Sequence, residues 1–154
     1  MRDNGGLMPV TRVVAGQFSF ATGWQYVLGP TSVAELSSFA TITGDSGGAD
    51  HQEAEAQIIF RLEGAGGTLN FSTRVSGAQS VHVVDIGLTS NVVLTGTANN
   101  DILYGSAYAD TLNGGTGADV MAGGGGNDTY HVDNIGDQLS EFAGGGIDTV
   151  RTTL

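Results

Sequence analysis

Apolar and polar positions along this chain follow two different rhythms, and the change falls near residue 91. Before it, short alternating stretches are separated by Gly-rich breaks, which predicts strands at Val13–Phe20, Trp24–Leu28, Ala56–Leu62, Thr68–Val75 and Val81–Ile86. The alternation is clearest in Thr68-Leu69-Asn70-Phe71-Ser72-Thr73-Arg74-Val75. One short helix is predicted at Ser32–Phe39, where Ser32-x-x-Glu35 after Pro30 has the spacing of a capping box.

After the change the period is nine. The rows read GTANNDILY (96–104), GSAYADTLN (105–113), GGTGADVMA (114–122), GGGGNDTYH (123–131) and VDNIGDQLS (132–140). Position six is Asp throughout: Asp101, Asp110, Asp119, Asp128 and Asp137. Position eight is large and mostly apolar: Leu103, Leu112, Met121, Tyr130 and Leu139. Leu94 falls where an earlier row would place its own eighth residue, and position one is Gly in the first four rows. A fixed period of this kind outranks local propensity in setting the fold.

Composition narrows the chemistry. The 26 glycines among 154 residues show no every-third-residue period, which excludes collagen. The absence of cysteine excludes a disulfide scaffold, a zinc finger and a thiol nucleophile. All five cations are arginines, set against 16 carboxylates for a net charge of −11. Residues 96–154 carry −7 of this and residues 1–95 carry −4. Nucleic acid and anionic membranes are repelled by such a chain, whereas cations are attracted, and the smallest of these are metal ions. The longest apolar runs are four or five residues, so no transmembrane segment is expected. Residues 1–15 hold no apolar stretch of signal-peptide length.

Gly and Asp in this pattern suit calcium, a hard cation that takes six to eight oxygen ligands, backbone carbonyls included. A tight loop aiming several carbonyls at one point needs positive φ and bare Cα atoms, which glycine supplies. The closing Asp adds charge, and the next residues leave as a short strand with position eight pointing inward.

Rows three and four fit G-G-x-G-x-D-x-U-x at every specified position, U being a large apolar residue. Here the chain resembles the hemolysin-type calcium-binding (RTX) repeat family, over a little more than a third of its length. The resemblance implies a right-handed parallel β-roll in which two nonapeptides make one coil and loops alternate between two edges. Each calcium would lie between loops two rows apart, pairing Asp101 with Asp119 on one edge and Asp110 with Asp128 on the other. Carbonyls would come from Gly114, Gly115 and Gly117, and from Gly123, Gly124 and Gly126. Two to three calcium ions are expected, with the third, between Asp119 and Asp137, weak because row five has lost its early glycines. Asn99 and Tyr108 replace the third glycine in rows one and two, and Tyr108 would strain a left-handed loop.

Stacked coils about 4.8 Å apart place like charges at similar separation, a repulsion of roughly 3–4 kcal/mol per pair at an effective dielectric of 20. The thin file of Leu, Leu, Met, Tyr and Leu does not offset the entropy of ordering the rows, so folding should require calcium. The stretch Glu141–Arg151 resembles the segment following such rows in bacterial secreted proteins. Asp148 lies eleven residues beyond Asp137, so the period of nine breaks there. Family members usually continue into a C-terminal signal read by a type I exporter; the chain ending at Leu154 is therefore expected to be a fragment or truncated product.

Other motifs carry less. Gly44-Asp45-Ser46-Gly47-Gly48 matches the nucleophile motif of chymotrypsin-like proteases, but no His precedes it, and a Gly-rich surface turn explains it. His51-x-Glu53-x-Glu55 offers three possible ligands and reads as a solvated acidic connector. His82 is expected on the outer face of a strand, His131 beside an inward Tyr130, and Trp24 and Tyr26 in core or edge packing rather than a sugar platform. No catalytic constellation is recognisable, so no enzyme activity is expected of this chain.

The sequence thus predicts an all-β chain. A small mainly-β module of unknown role and partner, with one short helix, would span residues 1–91. A calcium-binding β-roll would follow over 92–143, with a tail at 144–154. The expected function is calcium binding coupled to folding, in a secreted bacterial protein. The alternatives are an adhesin or surface-layer segment stiffened by calcium, and a non-catalytic fragment of a secreted RTX hydrolase.

Overall fold

The computed structural model describes residues 8–10, 18–20, 26–31, 42–44, 57–72, 75–76 and 80–154, with side chains at 59–72, 80–85 and 87–154. Among these residues all regular structure is strand: β1 Met8–Val10, β2 Phe18–Phe20, β3 Tyr26–Thr31, β4 Ile42–Gly44, β5 Gln57–Gly64, β6 Gly67–Asn70, β7 Val75–Ser76 and β8 Ser80–Leu88. They continue with β9 Val92–Thr95, β10 Ile102–Tyr104, β11 Thr111–Asn113, β12 Val120–Ala122, β13 Thr129–Val132, β14 Gln138–Ser140 and β15 Thr149–Thr152. One sheet runs β1-β3-β5-β8-β10-β12-β14, a second β15-β13-β11-β9-β6, and a third β2-β4-β7. Every pairing is parallel.

The nonapeptide rows explain this architecture. Three-residue strands cannot turn back as hairpins between such loops; each row instead crosses to the opposite sheet, and every second row returns to pair in parallel with the one before. Leu103 faces Met121 and Met121 faces Leu139 on one sheet, while Leu94, Leu112, Tyr130 and Val150 stand in line on the other. The result is a β-solenoid of the parallel β-roll kind, about four turns long.

Position eight builds the core, as the pattern requires. Leu103, Leu112 and Met121 are fully buried and Tyr130 is 1% exposed. Leu139, on the edge strand of its sheet, is 38% exposed. The same buried cluster continues through Leu94, Val92, Leu88, Val83, Val81, Phe71, Leu69, Leu62 and Phe60. The Phe60 and Phe71 rings stack with centroids 4.7 Å apart. Pairing likewise runs across residue 91, with β8 beside β10 and β6 beside β9.

Two local expectations are corrected. Thr68–Val75 is not one strand, because β6 ends at Asn70, whose Oδ1 accepts the Ser72 N–H at 3.0 Å and the Ser72 hydroxyl at 2.6 Å. This side-chain turn removes the backbone from the ladder, and Val75–Ser76 joins the third sheet. Tyr108 is not held in a left-handed conformation, since every described residue with positive φ is a glycine. The expected helix at Ser32–Phe39, Trp24, Asp45–Gly48 and the His51–Glu55 cluster lie outside the described residues.

Candidate metal centre

Each row's Asp closes its loop just before a strand, and there its carboxylate turns inward. Asp101, Asp110, Asp119 and Asp128 are between 0% and 2% exposed. One oxygen of each joins its coil to the preceding one. Val81 N–H donates to Asp101 Oδ1 at 2.6 Å, Asp101 N–H to Asp119 Oδ1 at 2.8 Å, and Asp119 N–H to Asp137 Oδ1 at 3.0 Å. On the other edge Val92 N–H donates to Asp110 Oδ1 at 2.7 Å, Asp110 N–H to Asp128 Oδ1 at 2.7 Å, and Asp128 N–H to Asp148 Oδ1 at 2.9 Å. Two files of carboxylates result, Asp101-Asp119-Asp137 and Asp110-Asp128-Asp148.

The second oxygen separates the rows into two classes. In row one the Thr97 hydroxyl donates to Asp101 Oδ2 at 2.9 Å, and in row two the Ser106 hydroxyl donates to Asp110 Oδ2 at 2.9 Å. The backbone N–H of the same Thr97 and Ser106 adds a second bond. Rows three and four carry Gly115 and Gly124 at that position and offer no hydroxyl. Asp119 Oδ2 and Asp128 Oδ2 are accordingly buried without a hydrogen-bond partner. A buried, unsatisfied carboxylate oxygen is expensive unless a charge meets it.

Glycine shapes the surrounding loop. Gly115, Gly117, Gly124 and Gly126 take φ values of 93°, 137°, 100° and 107°. The first glycine of each row has another reason: a Cβ on Gly114 or Gly123 would overlap Oδ2 of Asp119 or Asp128. Gly115 and Gly117 lie close against the carbonyl oxygens of Thr97 and Asn99, and Gly124 against that of Ser106. The donor set is therefore carboxylate and carbonyl oxygen from stacked loops, which fits a hard divalent cation and has no feature of a nitrogen or thiolate site.

Burial dominates the titration of these groups. It pushes Asp119 up to about 7, reinforced by the charges of Asp101, Asp137 and Asp133 against one Asp101 N–H. Burial raises Asp110 and Asp128 as well. A carboxyl raised in the folded state favours folding while protonated. Without calcium, stability should therefore be greatest below the ordinary carboxylate range, fall as pH rises towards about 7, and level off above it. Calcium competes with those protons, so its affinity should change in the opposite direction. The β signal by circular dichroism at pH 5 and pH 8 in chelator, beside calcium titrations at the same two pH values, checks both signs.

Residues 95–130 match the RTX calcium-binding nonapeptide repeat family in four copies. This segment consists of RTX repeats. No curated protein and no solved structure matches the chain. RTX repeats bind calcium, and the RTX β-roll is a non-catalytic calcium-binding fold. Among the described residues, no helix is long and apolar enough to cross a membrane.

The ladder of carboxylates and strands extends past the matched segment. Asp148 takes the place that Asp119 and Asp128 take in their rows, and β15 pairs with β13 so that Tyr130 faces Val150. The period of nine hid this, although Ala143-Gly144-Gly145-Gly146-Ile147-Asp148-Thr149-Val150-Arg151 repeats the spacing x-G-x-G-x-D-x-U-x after a two-residue shift. Of the histidines, His82 is half-buried on β8 with its ring 5.7 Å from that of Tyr104. Burial lowers its pKa, which favours the neutral imidazole. His131 is half-buried beside the fully inward Tyr130.

Proposed function

We propose that the RTX coils hold calcium between loops two rows apart, with Asp101 and Asp119 on one edge and Asp110 and Asp128 on the other. The carbonyls of Gly114, Gly115 and Gly117, and of Gly123, Gly124 and Gly126, complete these sites. The observation that carries this reading is the pair of buried oxygens, Asp119 Oδ2 and Asp128 Oδ2, that find no donor in the protein. They occur in the two rows that fit the nonapeptide fully. In the rows that depart from it, Thr97 and Ser106 hydroxyls occupy the corresponding oxygen.

Bound calcium supplies the positive charge that these carboxylate files lack. Binding and folding are then one event, because the sites require neighbouring coils and the unfolded chain has neither. Proteins with RTX repeats are typically secreted from bacteria. In that setting the coils stay unfolded where free calcium is scarce, pass a type I exporter, and fold outside the cell.

Far-UV circular dichroism of the full chain during a calcium titration tests this, with magnesium as control. Magnesium is smaller and holds its water more firmly, and loops of carbonyls spaced for calcium suit it poorly. A cooperative gain of β signal with calcium alone is expected. A spectrum unchanged by calcium contradicts the coupling of binding to folding.

A further inference from the structure

The last coil is reached by a different route from the others. Glu141 and Phe142 stand between the end of β14 at Ser140 and the loop 143–148. In that loop Gly144 and Gly146 take φ values of 87° and 148°, as the second and fourth residues of rows three and four do. The loop stacks on loop 123–128: Gly126 N–H donates to the Gly145 carbonyl at 2.6 Å, and Asp128 N–H to Asp148 Oδ1 at 2.9 Å. A Cβ on Gly145 would fall 2.8 Å from the Gly124 carbonyl oxygen and 2.9 Å from a Glu141 carboxylate oxygen.

Glu141 is held over this loop pair by the core. The Tyr130 hydroxyl donates to Glu141 Oε1 and itself accepts the Gly123 N–H. Carboxylate oxygens of Asp128, Glu141 and Asp148 then lie within 4.8 Å of one another. Three carboxylates this close repel strongly without a cation. Asp128 in this cluster is only 1% exposed, and its Oδ2, the same oxygen that borders the repeat site, has no hydrogen-bond partner.

We propose that Asp128, Glu141 and Asp148 bind a divalent cation, calcium by its all-oxygen donors, which clasps the last coil to the roll. This rests on the calcium reading of the repeats and adds a site closed by a residue outside the nonapeptide. Asp128 stands between Asp110 and Asp148, so its carboxylate borders both ion positions. With three carboxylates instead of two, this site fills first as calcium rises, because ligand charge sets affinity in flexible oxygen sites.

The test is equilibrium dialysis of the full chain against calcium chloride, comparing wild type with Glu141→Gln and Glu63→Gln. Glu63 is an exposed residue of β5 and controls for the loss of one charge. Glu141→Gln is expected to move the lowest-calcium step of the binding curve upward by roughly tenfold or more, with the later steps retained. Glu63→Gln is expected to leave the curve in place. Circular dichroism at saturating calcium checks that both variants keep the sheet. A Glu141→Gln curve that overlays wild type overturns the clasp while leaving calcium binding by the repeats intact. An equal shift in Glu63→Gln also overturns it, since the effect is then general charge. A wild-type chain that binds no calcium overturns the clasp and the repeat reading together.

Discussion

Asp119→Ala and Asp128→Ala are each expected to weaken calcium binding by roughly ten- to a hundredfold, and Asp137→Ala by much less. The difference follows from the second carboxylate oxygen. In Asp119 and Asp128 it is buried and accepts nothing from the protein. In Asp137 it accepts the N–H groups of Asp133 and Asn134 at 3.2 and 3.1 Å, because row five folds back on itself where rows three and four present glycines. Asp137 Oδ2 is thus committed to its own loop. Alanine also deletes Oδ1, which accepts the N–H of the preceding coil. Asp119→Asn separates the two roles, since it keeps an acceptor for Asp101 N–H and removes the charge. Isothermal calorimetry of the variants provides the comparison. Equal losses at all three positions contradict the assignment of ions to rows.

Withdrawal of calcium should affect stability more than any single substitution. At a calcium concentration a hundredfold above Kd, each site contributes about 2.7 kcal/mol. Two sites then contribute about 5 kcal/mol, comparable with the whole stability of a small domain. Loss of this contribution leaves the coils unfolded in chelator, so the melting transition seen in excess calcium should be absent there. Two features make the ion-free coils weak: the buried carboxylate files, and the exposure of Leu139 and Val150 (38% and 55%) where the two sheets end. Thermal melts in excess calcium and in chelator measure the effect. A Tm that moves by no more than about 2 °C shows that the coils are stable without calcium.

The repeats were legible because their step is constant. Leu103 to Met121 and Leu112 to Tyr130 are both 18 residues, two rows, so one side chain per row marks the core and one the edge. The coils before them keep the same parallel pairing with uneven steps. Val83 meets Leu103 after 20 residues, Phe60 meets Val83 after 23, and Leu69 meets Leu94 after 25. No period survives such variation, so Phe60, Leu69 and Val83 read only as alternating strand residues. Their burial in one cluster with Leu103 and Leu112 depends on which strands become neighbours, and composition does not encode that.

The site was legible in its charges and less so in its local chemistry. Asp101, Asp110, Asp119 and Asp128 follow from position six, and Gly115, Gly117, Gly124 and Gly126 from the need for positive φ. Departures from the motif at Asn99 and Tyr108 drew attention, yet the decisive difference lies two residues earlier. Thr97 and Ser106 replace the second glycine, and their hydroxyls satisfy a carboxylate that is left bare in rows three and four. Asp148 was obscured by the insertion of Glu141 and Phe142, which shifts the phase while preserving the stacking of loops. Asn70 similarly ended a strand that alternation alone would have continued to Val75, because its side chain competes for the backbone.

The most direct test of calcium binding by these coils is isothermal titration calorimetry of the full chain with calcium chloride, repeated with magnesium chloride. Saturable binding of two or three calcium ions per chain, with magnesium giving no comparable heat, is the predicted result. A chain that takes up no calcium, or takes up magnesium equally well, contradicts it.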